Sequence, residues 1–476
     1  MPHYDLVIVG TGSGNSILDS RFASWKTAIV EKGVFGGTCL NVGCIPTKMF
    51  VHTADLAATP SVSSRFGVDE ELLDVRWRDV RDRIFGRIDP IAAGGRDYRL
   101  NHADNANVTV YEGEGRFTGH KELTVDLGER TETVTADRFV LAAGGRPVIP
   151  DIEGLDEIGY HTSDSVMRLD KLPARLVIVG SGFVAAEFAH VFTSFGVQVT
   201  VVARSGALLR SEDEDISARF TELASARFDV RLNRRARRVR RTESGIALEF
   251  DGGEVIETDE LLIATGRRPN SDLLDVATTG VTTMDSGHVT VDAYQQTSVE
   301  GIYALGDLSS PYELKHVANH EARVVQHNLL HPGERIEADH RFVPHAVFTS
   351  PQIASVGVTE QQARQRGLSY VTSKQDYAGI AYGWAMEDTT GFAKLLADPG
   401  TGQLLGAHII GPQASTVIQP LIQAMSFGLA AHTMARGQYW IHPAMPELIE
   451  NALLNLAPPA SPPPPSTEPL RDAPQT

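Results

Sequence analysis

Two cysteines carry the most specific chemical signal in the sequence. Cys39 and Cys44 are its only cysteines, and four residues separate them within the segment 36–48. A disulfide closing so short a loop removes little entropy from the unfolded chain, so it would be a poor structural staple. A zinc site would need further Cys or His ligands, and none lies nearby. We therefore predict a redox-active pair. If Cys44 begins a helix, the helix dipole favours its thiolate, and Lys48 adds positive charge one turn later.

A glycine-rich turn lies close to the N-terminus. Gly10 and Gly12 follow an apolar strand, where a nucleotide-binding fold needs a tight turn and a close approach to a pyrophosphate. Glu31 ends the next apolar strand, at the position of a ribose ligand. Asn15 stands where the usual pattern has its third glycine, which weakens the match. Together these features predict a nucleotide site with a helix behind the turn.

A second turn of the same kind follows 170 residues later, with Gly180, Gly182 and Ala185 between a strand and a helix. The next strand ends near Arg204, and Arg210 follows. An arginine cannot accept a hydrogen bond from a ribose hydroxyl, but it pairs well with a 2′-phosphate. The second turn therefore predicts NADPH in preference to NADH.

Strands and helices must position these groups, and their alternation indicates an α/β protein. After about residue 340 the pattern changes to short strands in 346–358 and 391–411, followed by helices in 418–456. This predicts a third unit of α+β type. The tail 458–476 is rich in proline, cannot bury a core and is expected to be disordered.

The composition of the 476-residue sequence argues against some classes of function. Forty-three basic and 60 acidic side chains give a net charge of −17, which argues against nucleic acid as a partner. No signal peptide or run of ~18 apolar residues is found. The most apolar stretch, 417–435, is interrupted by polar residues and is expected to form a buried or interface helix. We expect a soluble cytoplasmic protein.

The motifs together resemble the pyridine nucleotide–disulfide oxidoreductases, which include glutathione reductase and dihydrolipoyl dehydrogenase. The resemblance covers about residues 4–456. The segments that carry it, besides the two glycine turns, are 36–48, 143–147, 264–270, 301–307 and His442-Pro443 with Glu447.

The resemblance implies a fold of two Rossmann-like nucleotide-binding domains and a C-terminal α+β dimerisation domain. The implied divisions are an FAD-binding domain over 1–150 and 280–342, an NADPH-binding domain over 151–279 and an interface domain over 343–457. It also implies a homodimer with composite active sites.

The family's reaction assigns roles to particular side chains. Cys44 would lie against the flavin, and Cys39 would be the exposed thiol that attacks a small-molecule disulfide. His442, oriented by Glu447 and delivered to the other subunit, would move the proton. Lys48 and Glu187 would form the pair beside the flavin.

The resemblance implies two cofactors. The residues expected at FAD are Gly10, Gly12, Gly14, Glu31, Thr38, Lys48, Gly115, Ala143, Gly144, Gly306 and Asp307. Those expected at NADPH are Gly180, Gly182, Phe183 as a gate, Ala185, Glu187, Arg204, Arg210 and Gly266.

Several passages are typical of one branch of the family, which reduces the disulfide of a low-molecular-weight thiol. They are 10–19, 85–91, 314–323, 381–388 and 434–443. One alternative is a dihydrolipoyl dehydrogenase, which Arg204 disfavours because it stands where an NAD-binding protein has an acid. The other alternative is a component of a multienzyme complex. Mercuric ion reduction is less favoured, because no cysteine pair lies near the C-terminus.

Overall fold

The computed structural model describes residues 1–457, so the predicted disordered tail lies outside the described residues. Contacts divide the chain into two units. The first unit consists of Met1–Arg210 and Thr221–His340, and the second of Ser211–Phe220 and the chain from Arg341. The predicted separation of the FAD and NADPH domains stays a prediction.

The first unit combines strands and helices, and within residues 108–147 and 229–269 the strands follow one another with no α-helix between them. In chain order the strands are β1 (His3–Val9), β2 (Thr27–Glu31), β3 (Val108–Glu112), β4 (Glu114–Gly119), β5 (Glu122–Asp126), β6 (Thr131–Leu141), β7 (Gly145–Pro147), β8 (Arg175–Val179), β9 (Gln198–Val202), β10 (Asp229–Arg231), β11 (Ala236–Thr242), β12 (Gly245–Phe250), β13 (Val255–Thr258), β14 (Glu260–Ile263), β15 (Arg267–Pro269) and β16 (Ile302–Ala304).

The helices up to His340 are α1 (Gly37–Asn41), α2 (Cys44–Ala58), α3 (Pro60–Ser63), α4 (Trp77–Asn101), α5 (Phe183–Ser194), α6 (Glu214–Arg227) and α7 (Lys315–Leu330). α6 begins in the short segment of the second unit and ends in the first unit.

One large sheet carries the first glycine turn. Its strands β3, β2, β1 and β6 are parallel in that order, and β16 runs parallel to the end of β6. The antiparallel strands β5 and β4 continue the sheet from the start of β6. The apolar residues of β1 are buried on both faces, as parallel sheets require.

A second parallel sheet, in the order β10, β9, β8 and β14, carries the second glycine turn. The antiparallel sheet β11–β12–β13 and the pair β7–β15 complete the strands of this unit. Two parallel sheets, each with a glycine turn after a central strand, agree with the predicted pair of Rossmann-like domains.

The two turns lead into different elements, and here one expectation is wrong. The second turn leads into α5, whereas the first leads into a five-residue 3-10 segment, Ser13–Ile17. Leu18 is extended, and Asp19 accepts a hydrogen bond from the Arg21 backbone N–H at 2.9 Å, which starts a new 3-10 turn. This local capping ends the helix that the pattern predicts.

The second unit is built on an antiparallel sheet in the order β17, β18, β21, β20 and β19. Its strands are β17 (Pro344–Val347), β18 (Gln352–Gly357), β19 (Val371–Asp376), β20 (Phe392–Ala397) and β21 (Leu404–Gly411). Its further helices are α8 (Glu360–Gln365), α9 (Ala381–Met386), α10 (Ala414–Val417), α11 (Gln419–Phe427), α12 (Ala431–Arg436) and α13 (Glu447–Leu454). The predicted α+β class is confirmed, and β19 is a strand that the sequence analysis did not predict.

The apolar stretch 417–435 is not one helix. Gly428 adopts a left-handed conformation that ends α11, and α12 begins at Ala431. Leu421 and Ala424 are buried in the core of the unit, whereas Phe427 is 76% exposed.

Hydrogen bonds and ion pairs explain why Ser211–Phe220 belongs to the second unit. The Glu212 carboxylate accepts a hydrogen bond from Ser355, at 2.8 Å, and pairs with His345. The buried Asp213 carboxylate accepts from the Lys394 ammonium group at 2.8 Å. Within residues 1–457, no helix is both long and apolar enough to cross a membrane.

Candidate active site

Two short helices bring the cysteines together. Cys39 lies in α1, and Cys44 is the first residue of α2, which meets the condition set in the sequence analysis for a favoured thiolate. The backbones meet at Gly43, where a Cβ atom would lie 2.9 Å from the Thr38 carbonyl oxygen and 3.3 Å from the Cys39 Cα. Gly43 therefore lets the two helices approach closely enough for their thiols to interact.

The two free thiols share one negative charge. The pKa of Cys39 is lowered to about 7, because the Cys44 thiol donates a hydrogen bond to it and because Lys315 lies within electrostatic range. The pKa of Cys44 is raised, because its thiol makes that hydrogen bond and is partly desolvated. In the protein chain itself, Cys39 is thus the better nucleophile near neutral pH.

The two cysteine residues differ in exposure, and the assignment of Cys44 to the flavin and Cys39 to the substrate stays a prediction. Cys44 is exposed, whereas Cys39 is half-buried. The physical reason is local: the Gly43 backbone packs against Cys39, while Cys44 lies at the open end of a helix.

Lys48 and Glu187 come together beside the cysteines. Lys48 follows Cys44 by one turn of α2, and Glu187 is buried on α5, which packs against α2. Desolvation lowers the pKa of Lys48, and the negative charges of Asp55 and Glu187 oppose this shift. Behind them, the buried His190 pairs with Asp55 at 2.8 Å, which fixes α5 against α2.

Hydrogen bonds join the first glycine turn to the Glu31 carboxylate at the end of the next strand. The Glu31 carboxylate accepts hydrogen bonds from the Thr11 backbone N–H at 2.8 Å and from the Thr11 hydroxyl at 2.7 Å. Gly10 has a φ of +103°, and a Cβ there would lie 2.3 Å from the Ala142 carbonyl oxygen. At Gly12 the nearest atom would be the Gly37 Cα, at 3.9 Å. Gly10 thus serves backbone packing, and Gly12 leaves room for a ligand.

The departure from the usual pattern at Asn15 has a structural explanation. The buried Arg99 guanidinium donates to the Asn15 side-chain oxygen at 2.8 Å and to its backbone carbonyl at 2.7 Å. Gly14 takes the close packing role, since a Cβ there would lie 2.6 Å from the Ala142 Cβ.

The polar groups near Asp307 fit a ligand rich in hydroxyl groups. Asp307 follows β16, and burial raises the pKa of its carboxyl. The hydroxyls of Ser309 and Ser310 are buried and have no partner among the described residues. Gly144 has open space where a Cβ would lie. A buried carboxyl group, two buried hydroxyl groups and the open space at Gly144 fit a flavin dinucleotide.

The remaining residues predicted at FAD have identifiable places. Thr38 precedes Cys39 in α1, and Gly115 is packed between Leu123 and Val30 in the large sheet. The backbone oxygens of Ala143 and Gly144 accept hydrogen bonds from Asn270.

The second glycine turn is open and cationic. Among the described residues, no atom lies within 4 Å of the place that a Cβ on Gly182 would occupy, and Phe183, which is 45% exposed, begins α5. The loop after β9 is tied to this turn by a 2.8 Å hydrogen bond from the Leu209 N–H to the Ser181 carbonyl. Arg204 and Arg210 flank that loop, are exposed, and form no ion pair within residues 1–457.

Two more residues predicted at NADPH differ in their surroundings. Ala185 is buried in α5, which leaves it a packing role. Gly266 has a φ of +123° and open space where a Cβ would lie, so the backbone there can approach a ligand.

His442 and Glu447 form a pair in the second unit. The His442 Nδ1 lies 2.6 Å from the Glu447 Oε1, and the other Glu447 oxygen accepts from the Ala444 N–H at 3.2 Å. Glu447 is largely buried at the start of α13, whereas the His442 side chain is 69% exposed. The carboxylate orients the imidazole and leaves its other nitrogen available.

The sequence analysis assigned no role to two side chains that lie beside predicted site residues. The Lys315 ammonium group donates to the Ser13 hydroxyl at 2.8 Å. The buried Glu321 carboxylate accepts from the Gly306 N–H at 2.7 Å and pairs with His340 at 3.0 Å, which raises the pKa of His340. Both belong to the passage 314–323, whose resemblance to one family branch was the available signal.

Known proteins resemble this chain over nearly its whole length. The family model "Pyridine nucleotide-disulphide oxidoreductase" matches residues 4–322, and the family's dimerisation domain matches residues 343–453. Mycothione reductase of Mycobacterium tuberculosis is 57% identical over 96% of this chain and 100% of its own length. Dihydrolipoyl dehydrogenase of Corynebacterium glutamicum is 32% identical over 94% of this chain and 97% of its own.

A solved structure shows the same fold. The HOCl-induced flavoprotein disulfide reductase RclA from Escherichia coli superposes with a TM-score of 0.82 and 28% identity, covering 95% of this chain and 99% of its own. The resemblance, the fold class, and the prediction of an FAD- and NADPH-dependent disulfide reductase are confirmed at the level of the family. This chain belongs to the pyridine nucleotide–disulphide oxidoreductases.

Proposed function

We propose that the protein reduces mycothione, the disulfide of mycothiol, at the expense of NADPH. The observation that carries the proposal is the pair of hydrogen-bonded thiols where α1 meets the start of α2, in which the pKa of Cys39 is lowered to about 7. The choice of mycothione rests on the 57% identity to mycothione reductase over 100% of that protein. A reducing compartment such as the cytoplasm suits a pair that cycles between disulfide and dithiol.

FAD binds at the first glycine turn and NADPH at the second in this proposal. Gly12, Glu31 and Asp307 hold FAD, while Gly182, Arg204 and Arg210 hold NADPH. When bound, FAD supplies the route by which two electrons from NADPH reach the disulfide. Lys48 and Glu187 orient and neutralise each other beside that route.

The cysteines perform thiol–disulfide exchange. The Cys39 thiolate attacks one sulfur of the substrate, the substrate S–S bond breaks, and a mixed disulfide forms with release of one thiol. Cys44 then attacks the Cys39 sulfur, which releases the second thiol and closes the Cys39–Cys44 disulfide. One NADPH and one proton thus convert one substrate disulfide into two thiols and NADP⁺.

The leaving thiolate needs a proton, which His442 supplies. Glu447 holds the Nδ1 side of the ring at 2.6 Å and keeps the imidazole oriented. Removing such a proton donor typically slows a reaction by about 10²–10⁴-fold.

We further propose a homodimer in which His442 serves the cysteines of the partner subunit. The match of residues 343–453 to the family's dimerisation domain supports this, since that segment contains both His442 and Glu447. Tyr439, Ile441 and Phe427 are apolar side chains exposed by at least 75% in the same unit. A two-fold dimer would cover this surface and build two identical sites.

Steady-state kinetics with three disulfides tests the proposed substrate. The purified protein should oxidise NADPH with mycothione and reach a kcat/KM at least about a hundredfold above those for glutathione disulfide and lipoamide, because a site built for one polar thiol rejects others. Cys39→Ser is the matched control and should remove activity with all three. Equal or higher kcat/KM with lipoamide, particularly with NADH formation in the reverse direction, would contradict the assignment.

Mixed dimers test the shared site. Homodimers of Cys44→Ala and of His442→Ala should each be nearly inactive. Dimers that contain one subunit of each, isolated with two different tags, should recover one intact site, or about half of the wild-type rate. Mixed dimers as inactive as their parents would overturn the composite site.

A further inference from the structure

Lys315 brings a positive charge to the first glycine turn from far away in the sequence. It is the first residue of α7, and its ammonium group donates a 2.8 Å hydrogen bond to the Ser13 hydroxyl. Ser13 directly follows Gly12 and is buried, and its hydroxyl donates in turn to the Asn319 side-chain oxygen at 2.9 Å. Asn319 lies one turn after Lys315 on α7. We call these three residues the Lys315 tether.

Among the described residues, no carboxylate forms an ion pair with the Lys315 ammonium group. The side chain is half-buried, and within residues 1–457 its only hydrogen-bond partner is the neutral Ser13 hydroxyl. A partly desolvated ammonium group with three donors is stabilised by an anion. An anion is therefore expected beside the Lys315 ammonium group when the protein has its cofactor bound.

Two anions could meet this charge, and they differ in how long they are present. Cys39 carries a negative charge only when the cysteine pair is reduced. A dinucleotide pyrophosphate carries its charges in every state of the enzyme. Lys315 is tethered to the turn itself, at Ser13, rather than to α1, which contains Cys39.

The first turn also has an electrostatic need that the second does not have. The second turn opens the twelve-residue helix α5, whose free N–H groups and dipole favour an anion. The first opens only a five-residue 3-10 segment, so its dipole contribution is small. A side-chain cation at this turn can supply positive charge that the short segment does not.

We propose that the Lys315 ammonium group, held by Ser13 and Asn319, binds the pyrophosphate of FAD. This rests on the proposed function only in placing FAD at the first glycine turn. The same charge also lowers the pKa of the Cys39 thiol, which agrees with a cation between the cofactor and the redox pair.

The test is the rate at which purified holoenzyme releases FAD, followed by the rise of free flavin fluorescence. At low ionic strength, Lys315→Met should release FAD at least about tenfold faster than the wild type, since a charge-assisted hydrogen bond is lost. The difference should shrink in about 1 M salt, which screens exposed charges. Lys315→Arg keeps the charge and should stay within about threefold of the wild type.

Two further variants provide a control and a second test. Lys171→Met removes an exposed lysine that is not part of any element and should leave FAD release unchanged. Asn319→Asp places a carboxylate in the tether and should also accelerate release, even if Lys315→Met folds poorly. Circular dichroism confirms folding in each case.

Release of FAD from Lys315→Met and Asn319→Asp at the wild-type rate would overturn the proposal. The proposal would also be overturned if these variants changed only the pH dependence of Cys39 alkylation. The Lys315 charge would then stabilise the Cys39 thiolate and not the pyrophosphate. A wild-type protein that purifies without flavin would instead overturn the proposed function, so the two failures are distinguishable.

Discussion

The two glycine turns, each in its own sheet, share one backbone hydrogen bond and one close packing contact. In each, the N–H of the first glycine donates to the end of the neighbouring parallel strand: Gly10 to Val30 at 2.8 Å and Gly180 to Val202 at 2.9 Å. In each, a Cβ on that glycine would lie within 2.3 Å of a carbonyl oxygen, that of Ala142 or Ala264.

The turns differ in the charges around them. The first has the Glu31 carboxylate at the next strand end and Lys315 from α7, with a short 3-10 segment behind it. The second has α5 behind it and the exposed Arg204 and Arg210 beside it. The shared geometry positions a dinucleotide, and the side chains at the strand ends decide which dinucleotide binds.

The largest effect is expected from an alanine at the first glycine of either turn. Gly10→Ala and Gly180→Ala both place a Cβ against a carbonyl oxygen at a left-handed φ. Gly10→Ala should lose bound flavin, whereas Gly180→Ala should keep the flavin and lose more than about 99% of its NADPH-dependent activity. Flavin absorbance per protein and NADPH oxidation check this.

The matched control for these variants is Gly94→Ala, in an exposed part of α4 with open space around the Cβ. It should stabilise the protein by about 0.5–1 kcal/mol, because alanine is the better helix former. Equal flavin loss in both turn variants would break the comparison between the turns.

A smaller effect is expected at the cationic strand end. Replacing Arg204 and Arg210 together by Gln should raise the KM for NADPH by about a hundredfold or more, since each charge-assisted hydrogen bond contributes ~1.5–3 kcal/mol. The KM for NADH should change less than about threefold, because NADH has no 2′-phosphate. Steady-state kinetics with both cofactors measures this.

The control here is Arg240→Gln, an exposed arginine on β11, which should leave both KM values unchanged. Equal increases for NADPH and NADH would show that the two arginines do not read the 2′-phosphate.

The smallest predicted effect is a shift in pH dependence at the redox pair. The lowered pKa of Cys39 means that its thiolate is present above about pH 7 and is lost as the pH falls through that value. In the reduced protein, alkylation of Cys39 should reach half its maximal rate near pH 7, and in the unfolded protein nearer pH ~8.5.

Cys44 should react more slowly than Cys39 across this range, because its pKa is raised. Mass spectrometry of peptides labelled at several pH values separates the two sites. A half-maximal rate for Cys39 in the folded protein that matches the unfolded protein would contradict the shared charge.

Features fixed by neighbouring residues were predictable from the sequence. The glycine turns follow from backbone requirements at the end of apolar strands, and a helix that begins at Cys44 is the condition that the sequence analysis sets for a favoured thiolate there. The His442–Glu447 contact was anticipated from a family spacing of five residues and is present at 2.6 Å.

Features that depend on distant residues were not predictable in the same way. The contact between Arg99 and Asn15 spans 84 residues, and that between Lys315 and Ser13 spans 302. The break of the first turn's helix at Asp19 and of the stretch 417–435 at Gly428 arises from local capping that competes with the helical pattern.

In the proposed reaction, electrons from NADPH reach the Cys39–Cys44 pair. The most direct test adds one equivalent of NADPH to the oxidised protein without oxygen or substrate, then alkylates it and measures its mass. Two newly labelled thiols per chain are expected, at Cys39 and Cys44, and none without NADPH. Oxidation of NADPH that leaves both cysteines unlabelled would contradict the proposed reaction.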